Sequence, residues 1–237
     1  MVVKNPLEIK LKNKVAIVVG SNFIFGKEIC LALALSGAEV WIHHFNEEDK
    51  IEQISKEISS LGGTAKVITD DLRNPKEVQN VILEIAKSSG KIDILVNNMH
   101  VLSKKTIVDL EPQDWIETLE FNLDIPFLCS KEVIPHMLRI GEGNIINISA
   151  TAAVTGEIGP HYAASKSALN SMTKGLSREF REFGIRVNSI SPDIVQTSTS
   201  LSSLSKAVAN TVLFLCSPYA THLKGEIIFL GEEENIH

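Results

Sequence analysis

The chain has 237 residues, 44% of them hydrophobic and 22% charged. That is the composition of an ordinary globular protein, with length for one good-sized domain spanning residues 1–237, and it excludes a largely disordered chain. The net charge of -6 argues against nucleic acid as a partner, because phosphate binding leaves a basic excess.

Strand-like and helix-like segments alternate from end to end. Val15 to Val19 is a β-branched run closed by Gly20, followed by a compact Ala- and Leu-rich helix, Ile29 to Leu35. Val40 to Ile42 is the second strand. Glu47 to Leu61 places Ile51, Ile54, Ile58 and Leu61 at helical spacing. Ala65 to Ile68 is a strand, Val78 to Ala86 a helix and Ile92 to Val96 a strand. A long helical region, Gln113 to Leu138, carries Pro126 and Pro135, which are expected to bend or end its segments. Asn144 to Ile148 is a strand, Tyr162 to Phe183 one helix, and Arg186 to Ile190 another strand. Lys206 to Cys216 is a helix and Glu226 to Leu230 the last strand. The Ser-rich stretch Thr197 to Ser205 and the tail from Glu232 are expected to be loose. Strands apolar throughout are buried on both faces. Seven of them alternating with helices predict a doubly wound parallel α/β sheet of Rossmann type.

Cys30, Cys129 and Cys216 lie far apart in apolar surroundings, as reduced core residues do, and no C-x-x-C pair suggests a metal. The lysine-bearing N-terminus has no apolar run behind it, and no stretch reaches the roughly 18 apolar residues of a membrane span. A cytoplasmic protein without membrane or metal is expected.

Ligands of such a fold sit beyond the carboxyl ends of the strands. There the first strand leads into Gly20-Ser21-Asn22-Phe23-Ile24-Phe25-Gly26, a turn that opens a helix and can hold pyrophosphate on backbone N–H groups. Together with Asn97-Asn98 after the fourth strand and Tyr162-x-x-x-Lys166 on the long helix, it resembles the short-chain dehydrogenase/reductase family. The likeness runs from about Leu11 to Leu230 and is greatest to the branch with the 3-oxoacyl-carrier-protein reductases.

The resemblance implies an NAD(P)-dependent oxidoreductase acting on a carbonyl or alcohol. It implies a homodimer or homotetramer formed through the helices around Asn122 and Tyr162. Tyr162 would be the acid/base; Lys166, one turn away, would lower its pKa and hold the ribose. Asn122 would hold a water of the proton relay. For the serine that meets the substrate carbonyl, two matches stay open. Matched from the strand, Ala150 takes the position; matched back from Tyr162 with a one-residue slip, Ser149 does. The strand match is favoured, because successive residues face opposite ways, and Ser149 remains the candidate hydroxyl. Cofactor contacts are implied for Gly20, Asn22, Ile24, Gly26, His44, Asp71, Leu72, Asn98, Lys166, Ile194 and Thr197.

Several positions depart from the family. Ile24 replaces the middle glycine of the turn, Met99 and His100 replace Ala-Gly after Asn97-Asn98, and Asp193 replaces a glycine. These replacements give a place to a slight shortage of glycine, 14 in the whole chain. They predict an obstructed cleft and weakened dinucleotide binding. No acid closes the second strand to exclude NADP, and a protonated His44 would lean the choice towards it. The mobile segment that closes over the substrate is mostly missing. A non-catalytic binding or scaffold subunit is the alternative reading.

Overall fold

A computed structural model describes residues 8–46, 48–194 and 198–231. The elements in chain order are β1 (Val15–Val19), α1 (Gly26–Leu35), β2 (Glu39–His43), α2 (Glu48–Ser60), β3 (Thr64–Ile68), α3 (Pro75–Ser89), β4 (Ile94–Asn97), α4 (Pro112–Leu119), α5 (Ile125–Ile140), β5 (Gly143–Ile148), α6 (Ala152–Thr155), α7 (Pro160–Phe180), β6 (Ile185–Pro192), α8 (Ser198–Cys216) and β7 (Ile227–Leu230). The strands form one sheet in the order β3-β2-β1-β4-β5-β6-β7, every neighbouring pair parallel.

The strand β1 shows why the sheet is covered on both faces. Its side chains alternate, Ala16 and Val18 entering the core under α1 and α8. Val15, Ile17 and Val19 enter the core under α3 and α5. A strand read by two cores has no room for polar residues, hence its unbroken apolar run. The strand order reverses between β1 and β4, and the crevice at that switch point is where an open α/β sheet takes its ligand.

The helical region around Pro126 differs from expectation. A π-helical turn, Glu120–Asp124, joins α4 to α5 without a break. Pro126 sits in the first turn of α5, where a missing N–H costs nothing, and Pro135 lies inside α5 without ending it. The stretch expected to be loose also differs. Ser198 to Ser205 are the first turns of α8. Leu204, Val208, Val212 and Leu215 are buried at helical spacing in the core above β6, and Ser205 Oγ donates to Leu201 O at 2.8 Å. Tertiary burial overrides a weak local propensity here. The connection between β6 and α8 is residues 193–197, short for a segment that closes over a substrate. Thr197 lies outside the described residues. No helix among the described residues is long and apolar enough to cross a membrane.

Candidate active site

The turn after β1 is built by its two surviving glycines. Gly20 has φ +78°, and a Cβ there would stand 3.0 Å from Asn98 O and from the Phe23 ring. A Cβ on Gly26 would lie 2.3 Å from Ser21 O, so the start of α1 rests directly on the turn. Phe25, at the N-cap of α1, offers no side-chain cap, which leaves first-turn N–H groups open to an anion. Ile24 needs no left-handed backbone, since the non-glycine residues with positive φ are Asn13, Asn46 and Ile158. Its side chain is 38% exposed. The Ile24 side chain is therefore not pressed into the turn; it lines a cleft with Lys27, Lys50 and α2.

His43, the polar residue that ends β2, holds this turn. Its Nδ1 accepts from Gly20 N at 3.3 Å and its Nε2 donates to Asp70 O at 3.2 Å. The bond accepted at Nδ1 requires the neutral ring, and burial pushes its pKa down to about 4. His44, expected as the residue facing the ribose, is buried. Asn22 is committed to the backbone of Phe45, donating to its O at 3.2 Å and accepting from its N at 3.4 Å.

At the end of β3, Asp71 is exposed and paired with Arg73, whose Nε lies 2.9 Å and 3.0 Å from the two carboxylate oxygens. The guanidinium hydrogen bonds hold the Asp71 carboxyl below the usual range. The Arg73 guanidinium also stands 4.9 Å over the Phe45 ring and 5.7 Å from that of Phe121. Asp71 does not cap α3; Asn74 does, accepting from Lys76 N. Leu72 is a core residue, so only its backbone is open to a ligand.

Beyond β4, Asn98 Nδ2 donates to Gly20 O at 2.8 Å, while its buried Oδ1 has no partner. Met99 is 1% exposed and packs into the core beside Phe121 and Leu95. It does not obstruct the cleft, contrary to expectation. His100 does stand there. Its Nδ1 is 2.9 Å from Tyr162 Oη, with the two rings edge to face at 5.4 Å.

Tyr162 and Lys166 sit one turn apart on α7, both buried. Lys166 Nζ donates to Met99 O at 3.1 Å and to Ile148 O at 3.0 Å and stands 5.8 Å from the centre of the Tyr162 ring. It is thus held by the carboxyl ends of β4 and β5. Burial brings its pKa down to about 7 and raises that of Tyr162. Asn122 lies in the π-helical turn and clasps Val101 through two backbone bonds, of 2.8 Å and 2.9 Å. That clasp fixes the loop that carries His100. A third bond joins Asn122 to Ser165 Oγ at 3.1 Å.

Ser149 corrects an expectation. Its hydroxyl donates to the Lys166 carbonyl at 3.2 Å, inward against α7. Ala150 is the residue that packs with Tyr162, together with Ala152 and Ile194. The alternation of β5 decides the matter: with Ser149 inward, Ala150 takes the cleft side. Asp193 is buried and continues the β6–β7 ladder, donating to Leu230 O at 2.8 Å.

The structure brings Gly20, Asn98, His100, Asn122, Ala150, Tyr162, Lys166 and Ile194 together at the carboxyl ends of β1, β4, β5 and β6. The short chain dehydrogenase family matches residues 14–207. The chain is 30% identical to the 3-oxoacyl-acyl-carrier-protein reductase FabG of Staphylococcus epidermidis, over 92% of this chain and 98% of that one. It is 31% identical to the FabG of Aquifex aeolicus, over 95% and 98%. A short-chain dehydrogenase/reductase of Burkholderia xenovorans superposes with a TM-score of 0.86 at 27% identity, over 94% of this chain and 96% of that one. One from Serratia marcescens does so at 0.84 and 29%, over 93% and 97%.

Proposed function

The chain belongs to the short-chain dehydrogenase family of NAD(P)-dependent oxidoreductases, and on that premise we propose that it reduces a 3-oxoacyl thioester with Tyr162 as the proton donor. The observation that carries this reading is the convergence of Tyr162, Lys166 and Asn122 on the carboxyl ends of β4 and β5. Gly20, Gly26 and the uncapped start of α1 fit a pyrophosphate. When bound, the dinucleotide supplies the hydride. Tyr162 gives its proton to the carbonyl oxygen. Lys166, anchored by two carbonyls, keeps its ammonium beside the phenol and offers its remaining proton to a ribose hydroxyl. Ala150 offers no hydroxyl to the substrate carbonyl, so that stabilisation is missing. The substrate class is taken from the FabG relatives.

NADP is favoured over NAD. No acid closes β2, and Arg73 brings a cation to the Phe45 loop. Binding is weak, because the Asn22–Phe45 bonds draw the turn and the β2 loop together where an adenosine ribose would part them. Three buried free cysteines suit a reducing, cytoplasmic setting. Exposed apolar residues on α4 and α5, among them Trp115, Ile116 and Phe127, support a homo-oligomer through these helices. The test is a titration with NADPH and NADH, followed by reduction of acetoacetyl-coenzyme A monitored by nicotinamide absorbance. Turnover with NADPH, and a weaker response to NADH, are expected. Absence of turnover with both removes the reading.

A further inference from the structure

The contact between His100 and Tyr162 has no counterpart in the roles assigned so far. His100 occupies the last position of the Asn97-Asn98-Met99-His100 segment, where the loop leaves β4 and meets α7. Three restraints hold it there. Lys166 fixes the carbonyl of Met99, the Met99 side chain is buried in the core, and Asn122 clasps Val101 on both its N and O. The residues on either side of His100 are thus pinned. Its Nδ1 is presented to Tyr162 Oη at 2.9 Å. No hydrogen bond of its Nε2 is seen among the described residues, and the residue as a whole is half-buried at the mouth of the site. Lys166 is the charged neighbour that acts on it. A ring with one nitrogen on the reacting hydroxyl and the other on solvent is a proton wire.

We propose that His100 is the proton relay of this site, carrying protons between Tyr162 Oη and solvent. The inference rests on the reading of Tyr162 as the proton donor. In the reducing direction the ring starts with its proton on Nδ1. The Tyr162 proton moves to the oxygen of the carbonyl that has received the hydride. The Nδ1 proton moves to Tyr162 Oη, and Nε2 takes a proton from water. The ring ends neutral, with its proton on Nε2 and its Nδ1 accepting from Tyr162. Oxidation of an alcohol runs the same chain backwards. Exchange of the ring protons with solvent returns the proton to Nδ1 before the next turnover. Neither transfer needs a free phenolate or an imidazolium. That matters because burial makes both charged forms costly here, raising the phenol and holding the imidazole down at about 3. It also matters because Ser149 is turned away. The relay runs on one ring, and the hydroxyl of the neighbouring strand takes no part.

The experiment compares the wild-type chain with His100→Gly, His100→Asn and Tyr162→Phe, using NADPH and acetoacetyl-coenzyme A. His100→Gly is expected to lose about 10²-fold in kcat, within the range of general acid–base catalysis, with KM little changed. Added imidazole should restore part of the loss, since glycine leaves the ring's place open to the cleft. His100→Asn should stay slow with or without imidazole. A second readout needs no turnover: the ¹⁵N signal of His100 Nδ1 should shift in Tyr162→Phe. If His100→Gly matches or exceeds the wild type while Tyr162→Phe is dead, His100 is an obstruction and the relay falls alone. A loss that imidazole does not restore, or an Nδ1 signal indifferent to Tyr162→Phe, also overturns the relay. Retained activity in Tyr162→Phe, or no turnover by the wild type, overturns both this inference and the reading beneath it.

Discussion

The two ends of the cleft are built by different means. At the substrate end, Tyr162 and Lys166 stand on a helix of 21 residues, and their partners are the ends of β4 and β5. At the adenosine end the groups lie on loops: Asn22 and Phe45 bonded to each other, and Arg73 over Phe45 and Phe121. At the first end helix and strand ends fix the side chains; at the second, contacts between loops do so. Positions set by sheet and helix resist change, because moving them disturbs a core. Loop positions at a strand end are exchanged at little structural cost. The exceptions at the substrate end, His100 and Ala150, are themselves a loop residue and a residue just past a strand.

Four experiments break or sharpen this contrast. The largest effect is expected from Tyr162→Phe, with a loss in kcat of about 10³-fold or more; a smaller loss in steady-state assays would place the proton donor elsewhere. Next is stability against acid. The ordinary histidine pKa is 6.5 and His43 sits near 4 in the fold. Between those values the unfolded chain takes up a proton that the folded chain refuses. Stability therefore falls as pH drops from about 6.5 to about 4, by up to about 3 kcal/mol, and is fully present above that window. Urea midpoints across this window should show a shallower slope in His43→Asn. His100, held down by burial, acts with the same sign and accounts for slope that remains.

Ala150→Ser tests the substrate end again. If a single hydroxyl is what the site lacks, kcat rises by about 10²-fold; no gain would mean that this position does not face the carbonyl. The smallest effect belongs to the turn. Ile24→Gly is expected to tighten NADPH binding by about tenfold, or about 1.4 kcal/mol, measured by calorimetry. An unchanged affinity would leave the weakness to the Asn22–Phe45 bonds alone.

The central strands were legible because β1 and most of β4 are apolar, mainly β-branched runs buried between two cores; the edge strand β3, largely open to solvent, was legible from its short β-branched run alone. The start of α8 was not. Its serines favour loops locally, and only the burial of Leu204 and Val208 against the sheet makes that stretch helical. Within the site, Tyr162, Lys166 and Asn122 were legible from spacing and resemblance. The choice between Ser149 and Ala150 needed the strand's facing. His100 was visible as a substitution but not as a partner of Tyr162, since nothing local connects residues 62 apart. His43 and Arg73 were missed for a related reason: each works by reaching across to a neighbouring strand's loop.

The early start of α8 bears on the timing of a catalytic cycle. With only residues 193–197 between β6 and the helix, the connection has no length for a long segment that swings aside between one turnover and the next. In enzymes that close over their substrates, reopening often sets the pace. On the proposed function, release of product from this site then depends on its own contacts with the cleft rather than on the reopening of a long segment.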